Sequence, residues 1–130
     1  MIEFYLDQKS GVTPYLQLVQ QVRRAVKLGL LHDGDQLPTV KDVVGKIAIN
    51  PNTVSKAYRE LEHQGLVVAR TGVGTFVAIT PSDQPPATLR PLRRDLERWI
   101  TRARDGGLDD ESIQALFIES FRDTSSAAVR

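Results

Sequence analysis

Cysteine is absent from the 130 residues, so neither a disulfide framework nor a thiolate metal site can form. Histidine is almost as scarce. His32 and His63 are the only two, neither stands at metal-ligand spacing, and both read as solvated side chains. No apolar run approaches the roughly 20 residues of a membrane span, so no membrane partner is expected. The N-terminus, "MIEFYLDQKSG", lacks the basic stretch and apolar core of a secretory signal, which makes a cytoplasmic location the default expectation. Glycine is present without a phosphate-binding pattern: "GVG" at 72–74 is too short for a dinucleotide fingerprint and no helix follows it, so no cofactor is expected. No nucleophile–base set is visible, and the paired acids of "DDES" at 109–112 are explained by a helix N-terminus. The expectation is a non-enzyme.

What is present is ordinary in amount and uneven in place. Hydrophobic content of 41% and charged content of 25% belong to a soluble globular chain. Net charge is only +1, which excludes a strongly basic protein. Yet Lys41, Lys46, Lys56 and Arg59 fall between positions 41 and 59 against a single acid, Asp42, so a local basic surface can form there.

The first helix signal is "TPYLQLVQQVRRAVKLGLL". Thr13 is placed to cap, Pro14 suits the first helical position, and Tyr15, Leu18, Val19, Val22 and Val26 recur at helical spacing up to Gly29. A short second helix starts at Thr39, with Asp42 three residues on, and buries Val40, Val43, Val44 and Ile47. Asn50 caps a third, Pro51 opens it, and Val54, Ala57, Tyr58 and Leu61 form its inward stripe before Gly65. "LVVAR" and "TFVAI" around "TGVG" then read as a β-hairpin.

Three helices followed by a two-stranded ribbon is the order of a winged helix-turn-helix. In that arrangement the third helix enters the major groove of double-stranded DNA and the ribbon is the wing. With the apolar stripe turned inward, the face left for DNA holds Asn52, Ser55, Lys56 and Arg59, with Thr53 near a phosphate. Asn reads adenine bidentately, Lys and Arg reach guanine or phosphate, and hydroxyls hold phosphate.

"TPSDQPPAT" then reads as a linker. Beyond it Leu89, Leu92, Leu96, Trp99 and Ala103 alternate by three and four along one helix, which Gly106-Gly107 ends. Asp109 can cap a last helix with Ile113, Leu116, Phe117 and Phe121 on one face. A two-helix hairpin cannot bury both stripes by itself, so this region reads as a dimerisation element, the alternative being that it folds back on its own domain. The expected fold class is mostly α (α+β). Its domains are a winged helix-turn-helix over 1–80, a linker over 81–86, a two-helix dimerisation hairpin over 87–122 and a disordered tail over 123–130.

The blocks "GVTPYLQLVQQVRRAVKLGLLHDGDQLPTVKDV", "INPNTVSKAYRELEHQGLV" and "GVGTFV" resemble the N-terminal domain of the GntR family of bacterial transcription regulators, over about residues 4–78. The two-helix remainder is similar to the YtrA subgroup, whose members are small homodimers without a large effector domain. The resemblance implies DNA contacts from Lys41, from Asn50, Asn52, Thr53, Ser55 and Lys56, and from Arg70, Thr71 and Gly72 in the wing. Three departures stand out: Lys41 replaces the usual arginine and loses its fork, Val73 stands where the wing tip often has a basic residue, and Ala48 replaces a common turn glycine.

The expected function is therefore sequence-specific binding to an inverted-repeat operator as a homodimer, with repression favoured because about 50 residues follow the wing. A small-molecule effector of unspecified chemistry is left open as a partner. The rival reading is a winged-helix protein-interaction module with no DNA affinity. An enzyme fragment of the aminotransferase-fused kind is disfavoured by the same short remainder.

Overall fold

The computed structural model describes residues 2–129 and divides into two units, Met1–Pro86 and Ala87–Arg130. The first contains α1 (Pro14–Lys27), α2 (Val40–Lys46), α3 (Pro51–His63), β1 (Val67–Arg70) and β2 (Gly74–Val77). The second contains α4 (Leu89–Asp105) and α5 (Asp110–Val129).

The core of the first unit lies between α1, α3 and the ribbon. Leu18, Val22, Leu37, Val54, Leu61, Val67 and Val77 are its largest fully buried side chains, and each contributes roughly 1.5–3 kcal/mol. Val43 is the buried residue of α2, with Val40, Val44 and Ile47 half-buried against the same cluster. Tyr58 closes the base. Its ring is 8% exposed and its hydroxyl donates to the Pro38 carbonyl oxygen at 2.6 Å.

Helix ends repeat one device. Gly29 and Gly65 have φ of 71° and 78°, and the amides of Leu30 and Leu66 close back onto the Ala25 and Leu61 carbonyls at 2.8 and 3.0 Å. Gly107, at φ 96°, ends α4 in the same way, with the Leu108 amide on the Ala103 carbonyl at 3.0 Å. Helix starts vary more. The Thr39 hydroxyl accepts from the Asp42 amide at 3.1 Å and the Asp42 carboxylate accepts from the Thr39 amide at 3.3 Å, a complete capping box. Thr13 occupies the N-cap position of α1, but its side chain makes no capping bond. Instead Gln17, one turn in, is buried and donates to the Asp7 and Val12 carbonyls while accepting from the Asp7 amide. With Gln21 bridging both polar groups of Tyr5, it pins the extended N-terminal segment along α1.

The ribbon is antiparallel, with Val67 opposite Val77 and Arg70 opposite Gly74. A third short piece joins it that the sequence does not announce: Gln36 bridges to Phe76, and the Leu37 amide donates to the Thr75 carbonyl at 2.9 Å. Gly74 permits this. Its φ is 145°, a conformation a side chain rarely adopts; the nearest atom to a Cβ there, at 2.6 Å, is the Nε2 at the movable end of the Gln36 side chain.

Two segments carry secondary structure that the sequence does not announce. Part of the linker is structured, because Pro81–Asp83 forms a single 3-10 turn with Asp83 accepting from the Thr80 amide at 2.9 Å. That bond, with the Thr80 hydroxyl, holds the Asp83 carboxyl below its ordinary pKa. The expected tail over 123–130 is helical as far as Val129, Arg130 lying outside the described residues. No glycine or proline interrupts the chain between Asp110 and Val129, so nothing in it stops the helix.

Candidate nucleic-acid interface

α3 sets the site. Pro51 and the Asn50 cap begin it, and Val54, Ala57, Tyr58 and Leu61 are all buried, so the opposite side must face solvent. Asn52, Lys56 and Arg59 are exposed there, while Thr53 and Ser55 are half-buried at its margin. The five side chains thus lie at the N-terminal and middle part of one helix, the end that reads base edges in this fold.

Asn50 is placed differently from a free contact. Its side-chain oxygen already accepts from the Asn52 amide at 2.8 Å, leaving only its Nδ2 for a DNA oxygen. The Thr53 and Val54 amides are directed to the Asn50 carbonyl at 3.0 and 3.3 Å. Phosphate at this helix end would therefore be held by side chains rather than by free backbone amides.

Lys41 is exposed in the first turn of α2, next to the capping box that fixes that turn. Ala48 keeps a negative φ, as every described non-glycine residue does, so the turn forms without the left-handed conformation glycine would supply. In the wing, Arg70, Thr71 and Gly72 are exposed, and Gly72 has φ 75° at the tip. The Val73 amide closes the turn on the Arg70 carbonyl at 2.9 Å, while its side chain stands 63% exposed.

Among the described residues, no carboxylate lies within ion-pair distance of Lys41, Lys56, Arg59 or Arg70. Two of these cations sit over aromatic rings instead. Lys56 Nζ is 4.2 Å from the centroid of Tyr15 on α1, and the Arg70 guanidinium carbon is 5.2 Å from that of Phe76 on β2. Sequence reasoning took Tyr15 as core and missed its outer face. No spacing rule pairs a residue of α1 with one of α3. Acids are kept elsewhere: Glu62 is turned back to accept from the Ala69 amide at 2.9 Å.

The second unit presents a different surface. Among its described residues, Ile113 is the one buried apolar side chain; Leu89 and Trp99 are half-buried, and Leu92, Leu96, Leu116, Phe117 and Phe121 are exposed. Phe117 and Phe121 stack at 6.1 Å, and an apolar groove of about 380 Å³ runs between Leu96, Trp99, Ile113 and Phe117. Ile100 and Ile118 also line it. The alternation by three and four left both out, although Ile100 is four residues from Leu96 and widens the same face. At the hairpin turn Asp109 caps α5, accepting from the Ser112 amide at 2.8 Å, and its hydrogen bonds with Ser112 lower its pKa.

The match to known proteins covers the same elements. The profile of the bacterial regulatory proteins of the gntR family matches residues 14–77, from the start of α1 to the end of β2. The chain is 40% identical to the HTH-type transcriptional repressor YtrA of Bacillus subtilis, over 83% of this chain and 84% of that one. It is 42% identical to the HTH-type transcriptional regulator Rv1152 of Mycobacterium tuberculosis, over 77% and 93%. Among solved structures it is similar to YtrA from Sulfolobus acidocaldarius, a GntR-family transcription factor, at 26% identity and a TM-score of 0.55 over 78% of this chain and 96% of that one. The chain belongs to the gntR family of bacterial regulatory proteins and is a YtrA-like transcription regulator of that family.

Proposed function

We propose that this regulator is a repressor that acts in the cytoplasm as a homodimer on an inverted-repeat DNA operator. The observation that carries the reading is the one-sidedness of α3: its apolar half is wholly buried, and its other half offers Asn52, Ser55, Lys56 and Arg59 with no ion pair to a described carboxylate, Glu60 and Glu62 of the same helix accepting from Gln64 and the Ala69 amide instead. Lys41 adds a cation from α2, and Arg70, Thr71 and Gly72 add the wing. Asn50 belongs to the site mainly as the cap that fixes where α3 begins.

The homodimer is supported by the hairpin, whose exposed leucines and phenylalanines, together with Trp99 and Ile113, form a surface larger than one copy covers. A two-fold dimer presents two recognition helices and so calls for two half-sites of inverted sequence. Repression is supported by the YtrA relative, which is named a repressor.

The test is a mobility shift and a footprint on the DNA upstream of the chain's own gene, repeated over a salt series. A protected inverted repeat, bound with an affinity that falls as salt rises, is the expected result. Absence of salt-sensitive binding at micromolar protein would reverse the reading in favour of a protein-interaction module.

A further inference from the structure

We infer that Tyr15 is a positioning residue for DNA binding: its ring seats the Lys56 ammonium on the edge of the recognition face before DNA arrives. The inference rests on the DNA-binding role of α3 proposed above. The geometry points to it in three ways. Tyr15 occupies the first turn of α1 and is half-buried, one part of its ring packed against the core, so the ring is held by structure that DNA does not supply. Lys56 Nζ lies 4.2 Å from the ring centroid, within the range of a cation on an aromatic face. No described carboxylate competes for that ammonium.

A lysine on a flexible four-carbon stem gives up rotamer freedom when it grips a phosphate. One already seated gives up less, and that difference returns as affinity. The ring takes one side of the ammonium and leaves donors directed outward, so Lys56 is cast as a phosphate contact rather than a base reader. Phosphate contacts position the protein and carry no sequence information. Loss of the seat should therefore weaken binding equally on the operator and on base-substituted versions of it. A cation over an exposed ring is worth about a two- to fivefold change in a binding constant.

The experiment uses the full chain in four forms, Tyr15→Phe, Tyr15→Leu, Lys56→Ala and the Tyr15→Leu/Lys56→Ala double variant. Operator affinity is read by fluorescence anisotropy, with urea unfolding as a check on the fold. Tyr15→Phe keeps the ring and should bind within twofold of wild type. Tyr15→Leu should lose two- to fivefold, and the double variant should bind no more weakly than Lys56→Ala alone, because the ring acts only through the lysine. Should Tyr15→Leu fold poorly, Tyr15→Met takes its place. In the free protein, the Lys56 ε-methylene protons should show an upfield ring-current shift by NMR that vanishes in Tyr15→Leu. Multiplying losses in the double variant, an equal loss in Tyr15→Phe, tighter binding by Tyr15→Leu or an unshifted Lys56 each overturns the positioning role while leaving DNA binding intact. A wild type that does not bind the operator overturns both readings, so the two failures are told apart.

Discussion

Tyr58→Phe isolates one bond that couples the core to the helix-turn-helix. Phenylalanine fills the same space, so no cavity opens; what disappears is the hydroxyl and its 2.6 Å bond to the Pro38 carbonyl. That carbonyl is buried, and leaving it without a donor costs about 1–3 kcal/mol. For a unit of this size each kcal/mol lowers Tm by about 4–8 °C. The alkaline limb gives a second, independent reading. Burial first, and the Asp42 carboxylate second, push the Tyr58 pKa well above its ordinary value of 10.0. Above pH 10 the unfolded chain releases this proton while the native state keeps it, so stability falls as pH rises, by up to about 1.4 kcal/mol per pH unit. Below pH 10 the group contributes no slope. Urea unfolding of both proteins at pH 7 and between pH 10 and 11 checks both statements. The variant should be less stable at pH 7 and should lose less on going alkaline, so the two curves converge. A loss under about 0.3 kcal/mol at pH 7, or parallel alkaline slopes, would refute the reasoning.

Other expectations follow from single side chains. Lys41→Ala should weaken operator binding, and Lys41→Arg should hold or raise it by restoring a guanidinium fork; equal affinity of Lys41→Ala and wild type in a mobility shift would remove α2 from the interface. Arg59→Ala should flatten the dependence of log affinity on log salt by about one unit per half-site, and an unchanged slope would place Arg59 off the phosphates. Leu96→Glu should cost several kcal/mol in any closed interface and leave a monomer by light scattering, with α1–α3 and the wing still folded; a dimeric mutant would refute the hairpin as the dimer contact.

Much of the DNA-binding unit was legible because each of its devices is local. Pro51 after Asn50, Asp42 after Thr39, and Gly29, Gly65 and Gly107 after apolar stripes act within one turn of the chain, and each does so in the structure. What escaped is non-local. The Gln36 bridge to Phe76 joins residues 40 apart, and the Lys56 seat on Tyr15 joins residues 41 apart. Gln17 shows the same limit differently: a polar residue inside an apolar stripe reads as a surface position, yet it is buried because two carbonyls and one amide of the N-terminal segment converge on it. The tail shows opposing local signals. "DTSSAAVR" is polar and lies near a terminus, both signs of fraying, but its alanines and the lack of any glycine or proline favour continuation of α5.

The near-neutral net charge is compatible with a nucleic-acid interface because opposite charges are sorted by position. Nine Lys/Arg against seven Asp/Glu in residues 1–80 would give a weak field if mixed. Instead Asp42 is spent on a helix cap, Glu62 on a strand amide, and Asp33 and Asp35 on the Ile79 and His32 amides. Each of these carboxylates is held by a backbone group, while Lys41, Lys56, Arg59 and Arg70 are left without acidic partners among the described residues. On the function proposed above, a surface built this way offers phosphate four cations where α2, α3 and the wing lie. On that proposal, specificity rests on Asn52 and Ser55 rather than on bulk attraction, which suits a regulator that must leave most of the genome unoccupied.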